Sequence, residues 1–290
     1  MTHKPAVAKT IALTVATMIA FAANSLLCRM ALGADAIDAA SFTTLRLASG
    51  ALTLWLILSA TRKDRTRARS DWIAAAMLFL YAIAFSFAYL SLTAGTGALI
   101  LFGAVQLTML TVGLRGGEHF APLSWAGFVL AVVGLVYLVS PGLTAPAPVG
   151  TALMAVAGIA WGVYSLRGRG VANPLIATAG NFARTLPFTL VASVLFISNV
   201  HASWCGALLA VASGAIASGV GYAIWYAALR GLTATRAATV QLSVPVIAAF
   251  GGVALLSERI TLRLLISSIA ILGGIALVLM QRGARAARAP

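Results

Sequence analysis

The sequence predicts an all-α polytopic membrane protein, with ten transmembrane helices in two inverted five-helix repeats and a small-molecule site between the halves. Three observations carry this. Of 290 residues, 61% are hydrophobic and only 9% charged, where a soluble domain has about 25% charged. The apolar stretches run to roughly 20 residues, the length that crosses a bilayer. The chain also echoes itself: Arg29 and Arg46 return as Arg167 and Arg184 at a common spacing, and Val105-Gln106-Leu107 returns as Val240-Gln241-Leu242. A unit with an odd number of spans enters the membrane from the side opposite to its copy, the arrangement of many secondary transporters, whose substrates bind between the repeats.

In order, the spans fall at about 10–31, 39–60, 72–93, 96–114, 122–140, 147–166, 174–197, 203–229, 236–256 and 261–281. The first imitates a signal peptide, with Lys4 and Lys9 before an apolar run and Ala20-Phe21-Ala22 as a cleavage-like site. The apolar run continues past that site and the repeat requires this helix, so cleavage is not expected. Segments one and six align through Ala22/Ala160 and Arg29/Arg167, and segments two and seven through Thr43/Asn181 and Arg46/Arg184. Three and eight both begin near a tryptophan, Trp72 and Trp204. Four and nine share Val-Gln-Leu, while five and ten share a preceding glutamate (Glu118, Glu258) and a mid-helix glycine (Gly134, Gly274). Ser140 to Pro146 is the most linker-like stretch. It divides the chain into a first repeat, 1–141, and a second, 146–290, joined by a loop at 142–145.

The formal charge of +14 raises a nucleic-acid partner, but its distribution argues against one. With the N-terminus cytoplasmic, ten spans return the C-terminus to the same side. That side then collects Lys4, Lys9, the run from Arg62 to Arg69, Arg115, Arg167, Arg169, Arg230, Arg236 and the arginines after 281. The other side holds Arg259, Arg263 and the acidic turn from Asp35 to Asp38. This asymmetry sets both termini in the cytoplasm, and the expected location is a bacterial inner membrane. The basic loops serve orientation and attraction to anionic lipid. Cys28 and Cys205 show no paired spacing, and His3, His119 and His201 lie near termini or in loops. No metal, cofactor or catalytic cluster is expected, which disfavours a membrane-embedded enzyme.

Phe42 to Arg46, Gln241-Leu242-Ser243-Val244-Pro245, Leu256-Ser257-Glu258 and the glycines of the last span together resemble the drug/metabolite transporter superfamily, in its EamA-type ten-helix branch. Within that branch the chain looks most like the YddG-type aromatic amino acid exporters. The resemblance covers essentially the whole chain. It implies two inverted repeats around a central cavity that opens alternately to each side, and export as the direction. It leaves the oligomeric state open, a monomer being compatible with it.

Candidate substrate-binding residues follow from polarity and aromatic spacing. Asn24, Gln106, Gln241 and Ser243 lie deep in apolar spans, where polar groups face the bundle interior as ligands or as interhelical glue. Pro245 removes the hydrogen bond to the Gln241 carbonyl, so helix nine should break there; Pro187 does the same to the Ala183 carbonyl. Both prolines are candidate hinges. Tyr81 and Phe85, Trp161 and Tyr164, and Tyr222 stand at helical spacings that line a wall, suited to an aromatic or aliphatic side chain. Tyr89 and Tyr226, near span ends, are assigned to the interfacial belt. Arg46 is placed nearer an interface than the midplane, which favours a structural role over a substrate carboxylate, and Arg184 falls near the middle. Gly214, Ser218 and Gly219, and Gly127, Ala131 and Gly134, permit close helix contacts.

All six acidic residues fall in loops or at span ends. Proton coupling through a buried carboxylate is therefore disfavoured, and a neutral or zwitterionic substrate is favoured over a bare cation. Amino acids, aromatic ones among them, lead. Another small neutral metabolite, such as a purine or a sugar derivative, is the alternative.

Overall fold

The computed structural model describes residues 3–61, 71–116, 121–142, 145–168, 171–232 and 234–286, without the side chains of 3–7, 234–236 and 281–286. The basic run from Arg62 to Arg69, Glu118, His119, Arg169 and the linker residues 143–144 lie outside the described residues, as do the side chains of Lys4, Arg236 and Arg282.

The described residues form ten helical rods. They are α1 (His3–Gly33), α2 (Ala39–Ala60), α3 (Trp72–Ala88), α4 (Ala94–Arg115), α5 (Pro122–Val139), α6 (Pro148–Arg167) and α7 (Pro174–Leu195). Then come α8 (Trp204–Leu229), α9 (residues 234–256) and α10 (Leu262–Ala286). Eight are long and apolar enough to cross a membrane. Of the other two, α3 has 17 residues, a rise of about 25 Å, and α7 carries Asn181 and Arg184 among its apolar residues. α3 is shorter than the sequence implies: Tyr89 closes it, and a turn leads to the Thr93 cap of α4.

The helix starts are written locally. Asp38, Asp71, Thr93 and Ser203 accept hydrogen bonds from the amides of Ser41, Ile73, Thr96 and Gly206, and α5, α6 and α7 open on proline. Both devices satisfy or remove orphan N–H groups of a first turn. Long apolar side chains such as Val129, Val133, Leu190, Val194, Ile216 and Ile269 face outward, as a lipid-facing surface requires.

The packing has a hidden order. α1 packs on α8 and α9 as α6 packs on α3 and α4, α2 meets α8 as α7 meets α3, and α2–α7, α4–α9 and α5–α10 pair directly. Exchanging each helix with the one five places along leaves these principal partners unchanged. Two contacts break the symmetry: α4 touches α1 and α10, whereas α9 has no comparable contact with α6 or α5.

Close approach depends on glycine. A Cβ on Gly127 would meet the Gly274 carbonyl, and one on Gly274 the Gly127 carbonyl, so α5 and α10 touch backbone to backbone. A Cβ on Gly214 would strike the Arg46 carbonyl and the Ser49 hydroxyl, holding α8 against α2.

Two rods are irregular. α8 widens into a π-helical stretch at Ser213–Val220. α9 breaks at Leu242, between Ala234–Gln241 and Ser243–Leu256, three residues ahead of Pro245. The interruption expected from that proline is present. Pro187 lies inside a continuous α7 and faces outward.

Candidate functional site

The interior contains two adjoining spaces. The wider, about 750 Å³, lies between α6 and α9 and reaches the surface where α3 and α7 begin and where α6 and α8 end. A recess of about 30 Å³ lies deeper. Phe21, Trp161, Tyr222 and Gln241 line both, and so form the neck between them. The Trp161 and Tyr222 rings stack with centroids 5.6 Å apart, and Phe21 stands 5.9 Å from Tyr222. The vestibule has the size of a small-molecule site, and it lies where, among the described residues, α6 and α9 pack less closely than α1 and α4 do.

Six of the candidate residues, Asn24, Tyr81, Phe85, Trp161, Tyr222 and Gln241, border the recess. Gln106 and Tyr164 border the vestibule. Ser243 borders neither: its hydroxyl donates to the Val240 carbonyl at 2.7 Å, just before the α9 break. Asn24 is committed to α8, since its amide accepts from Ser213 at 2.6 Å and donates to Ser218 at 3.3 Å. Those serines are five residues apart, a separation that the widened π turn brings to one side of the helix. Gln241 donates to the Ala237 carbonyl at 3.2 Å through its amide nitrogen, so its amide oxygen is the group left to accept at the neck.

Two assignments need correction. Tyr89 is fully buried and donates to the Ala94 carbonyl at 3.3 Å. Tyr226 borders the vestibule, with its hydroxyl 2.7 Å from that of Thr178. Neither belongs to an interfacial belt, because each hydroxyl is bonded inside the bundle, to the Ala94 carbonyl and to Thr178. Arg46 is enclosed by the bundle, which its place along the span does not announce. It is 2% exposed, with Nη2 donating to the Tyr81 hydroxyl at 2.7 Å and its guanidinium over the rings of Tyr81 and Phe85. Arg184, expected near mid-depth, is half-buried against the Gly180 carbonyl and the Trp72 ring and borders neither space. Phe21, Ser25, Leu101 and Phe102 were not singled out from the sequence. All four border the recess, yet isolated apolar and small residues in apolar helices carry no periodic signal.

The two ends of the molecule differ. At the end where α1 finishes, Arg29 pairs with Glu258 at 3.4 Å and donates to the Tyr89 carbonyl at 3.0 Å. The Glu258 carboxylate also accepts from the Ala94 amide at 2.9 Å. Ser257, in the left-handed conformation with φ 54, ends α9 and turns Glu258 over the start of α4. Nearby, Ile37 and Ala202 form an antiparallel bridge, and Asp38 accepts from the His201 amide at 3.2 Å. These contacts close this end. At the other end Arg167 donates to Asp71 at 2.6 Å beside the open vestibule. Burial raises the Asp71 carboxyl, but Arg167 and the Ile73 amide outweigh it and hold the group below its ordinary value.

His201 ties the closed end electrostatically. The Asn199 carbonyl at 3.1 Å, and then the Asp35 carboxylate at 3.0 Å, raise its imidazole above the ordinary value. A raised imidazole contributes its charged link in full below the ordinary value and loses it as pH rises through the raised one. NMR titration should place His201 above a free imidazole, with Asp35→Asn bringing it down. An imidazole that ignores Asp35→Asn would remove this link.

Residues 148–280, the second five helices, match the EamA-like transporter family. The uncharacterised protein PA1977 of Pseudomonas aeruginosa is 53% identical over 280 residues, covering 97% of this chain and 98% of that protein. A solved crystal structure is similar with a TM-score of 0.65 at 22% identity, covering 92% of this chain and 96% of its own; at that identity the likeness carries the fold. With a relative matched from end to end and a family match through half of its helices, the chain belongs to the EamA-like transporter family, a multi-pass membrane transporter of small solutes.

Proposed function

We propose that this transporter exports amino acids, aromatic ones among them, by alternating access. The neck carries the reading: the stacked rings of Trp161 and Tyr222, with Phe21 tilted against Tyr222, beside the amide of Gln241 at the break in α9. Offset aromatic faces suit an apolar or aromatic side chain, and a broken helix at mid-depth offers backbone and amide groups to polar substrate atoms. The proposed repeats are 1–141 and 146–290, joined at 142–145. The exchange symmetry of the packing supports them. Transport would interconvert the two ends. With both termini on the cytoplasmic side of a bacterial inner membrane, the open vestibule faces the cytoplasm, where an exporter loads. Asn24, Tyr81, Phe85, Gln106, Trp161, Tyr164, Tyr222 and Gln241 are the proposed binding residues; Ser243 and Pro245 belong to the break, and Pro187 to a hinge in α7.

The test is counterflow of labelled tryptophan, phenylalanine and threonine in proteoliposomes, with and without a proton gradient. Tryptophan movement should need no gradient and should fall at least about tenfold in Trp161→Ala, where both aromatic burial and stacking are lost. No movement of any amino acid by folded protein would refute the substrate class and leave the transporter fold intact.

A further inference from the structure

Among the described residues, the guanidinium of Arg46 is a buried cation with a nitrogen that has no hydrogen-bond partner. It lies seven residues into α2, about 10 Å from the helix start, and is 2% exposed. Its Nη1 is fully buried with no hydrogen-bond partner. Among the described residues no carboxylate pairs with it: Asp35, Asp71 and Glu258 are engaged by His201, Arg167 and Arg29, and Asp38 caps α2. An arginine inside a bilayer is costly and ordinarily finds an acid, carbonyls or water. Here its surroundings are the faces of Tyr81 and Phe85, both of which border the recess.

The Tyr81 hydroxyl adds a direction. It accepts from Arg46 Nη2 at 2.7 Å, so its own proton is free to donate elsewhere, and no protein acceptor for it is present among the described residues. A phenol held by a guanidinium is a charge-assisted donor. Tyr81 thus offers an O–H at the wall of the recess, and the positive charge of Arg46 stands one layer behind it, against the rings of Tyr81 and Phe85. The recess, about 30 Å³, exceeds the roughly 10–15 Å³ that one water needs. It admits a group of carboxylate size, while the neck and vestibule hold an apolar remainder.

We propose that Arg46 and Tyr81 form the anion-binding end of the site, so that the substrate class is carboxylates bearing an aromatic or other apolar body. This rests on the reading of the central cavity as the transport site, but it does not require an amino group. No acidic side chain borders the recess to receive an ammonium. Recognition therefore centres on the carboxylate, and a carboxylic acid without an amino group binds as well as its amino acid.

The test is calorimetric binding to purified protein in nanodiscs, using four ligands that share a phenylethyl body. They are phenylalanine, 3-phenylpropanoate (carboxylate only), phenethylamine (ammonium only) and 3-phenylpropanamide (neutral). Phenylalanine and 3-phenylpropanoate should bind, and the other two should bind at least about tenfold more weakly, the worth of a charge-assisted bond. Arg46→Gln should lose about 10- to 100-fold in affinity for 3-phenylpropanoate and become indifferent to the choice between acid and amide. Tyr81→Phe keeps the ring and the arginine, and provides a second reading should Arg46→Gln not fold; it should lose about tenfold on the same basis. Binding of 3-phenylpropanoate without phenylalanine would refute amino acid export and uphold the carboxylate end. Binding of phenylalanine with unchanged affinity in folded Arg46→Gln or in Tyr81→Phe would do the reverse. Preference for phenethylamine, or no binding of either acid to folded protein, would overturn the proposal.

Discussion

Glu258→Ala is expected to unseal the end of the transporter that is closed in this structure. Its carboxylate joins three elements: it pairs with Arg29 of α1, accepts from the Ala94 amide at the start of α4, and hangs from the left-handed turn that ends α9. Truncation leaves a guanidinium and a helix N-terminus without their shared partner. Removing one member of a buried pair costs about 3–5 kcal/mol. Glu258 and Arg29 keep 11% and 24% of their side-chain surface exposed, so about 2–3 kcal/mol is the fitting scale, a shift of roughly 30- to 140-fold between closed and open forms. Cys28 supplies the reporter, being fully buried and adjacent in sequence to Arg29. In a Cys205→Ser background, a membrane-impermeant thiol reagent added at the Arg29 end should leave Cys28 unmodified. With Glu258→Ala, labelling should accelerate by more than about tenfold, in line with the population shift. Glu258→Gln keeps an acceptor for Ala94 and should fall between. Unchanged labelling in folded Glu258→Ala would place the seal elsewhere, in the bridged loops around Ile37 and Ala202.

The fold was largely legible because membrane spans announce themselves by length and apolarity, and their starts by proline or a capping side chain. Asp38, Asp71, Ser203, Pro122, Pro148 and Pro174 mark those starts in plain sequence. Six of the ten residues around the recess are legible too, helped by the helical spacing of Tyr81 with Phe85 and of Trp161 with Tyr164. What failed depends on depth and on tertiary bonds. Arg46 stands near a span end by count, yet the packing of α2 against α3 and α8 encloses it, which no count along a single helix reveals. Tyr89 and Tyr226 stand near helix ends by count, but tertiary bonds to the Ala94 carbonyl and to Thr178 take them into the bundle. The π-helical stretch has no local signature: Ser213 to Val220 is an unremarkable run of small and apolar residues. The two hydrogen bonds to Asn24, on a helix far away in sequence, accompany the wider turn. Ser243 shows the opposite error, a polar residue whose hydroxyl turns to its own backbone rather than to the cavity.

Two glycine substitutions should separate scaffold from site. In Gly127→Val the new side chain meets the Gly274 carbonyl and the side chains of Leu277 and Val278. In Gly214→Val it meets the Arg46 carbonyl and the Ser49 hydroxyl. Neither backbone obstacle can rotate away, so each helix pair must separate. Overpacking of this kind costs about 1–3 kcal/mol, and occasionally more. In a bilayer the loss weighs heavily, because helices associate there by close packing rather than by escape from water. Both variants should therefore lower the thermal midpoint in detergent. They should differ in binding. The pair of α5 and α10 contributes one residue, Leu279, to the vestibule and none to the recess, so Gly127→Val should bind ligand with affinity changed by less than about threefold, as expected of distant sites. Gly214 bears on the backbone of Arg46 itself. Displacing α2 by even an ångström moves a guanidinium whose 2.7 Å bond to Tyr81 tolerates only a few tenths. Gly214→Val should lose carboxylate affinity by about tenfold, the worth of that charge-assisted contact, at a temperature where it is still folded. Equal binding losses in the two variants would mean that the whole bundle loosens as one body, and that the position of Arg46 is not set by the α2–α8 contact.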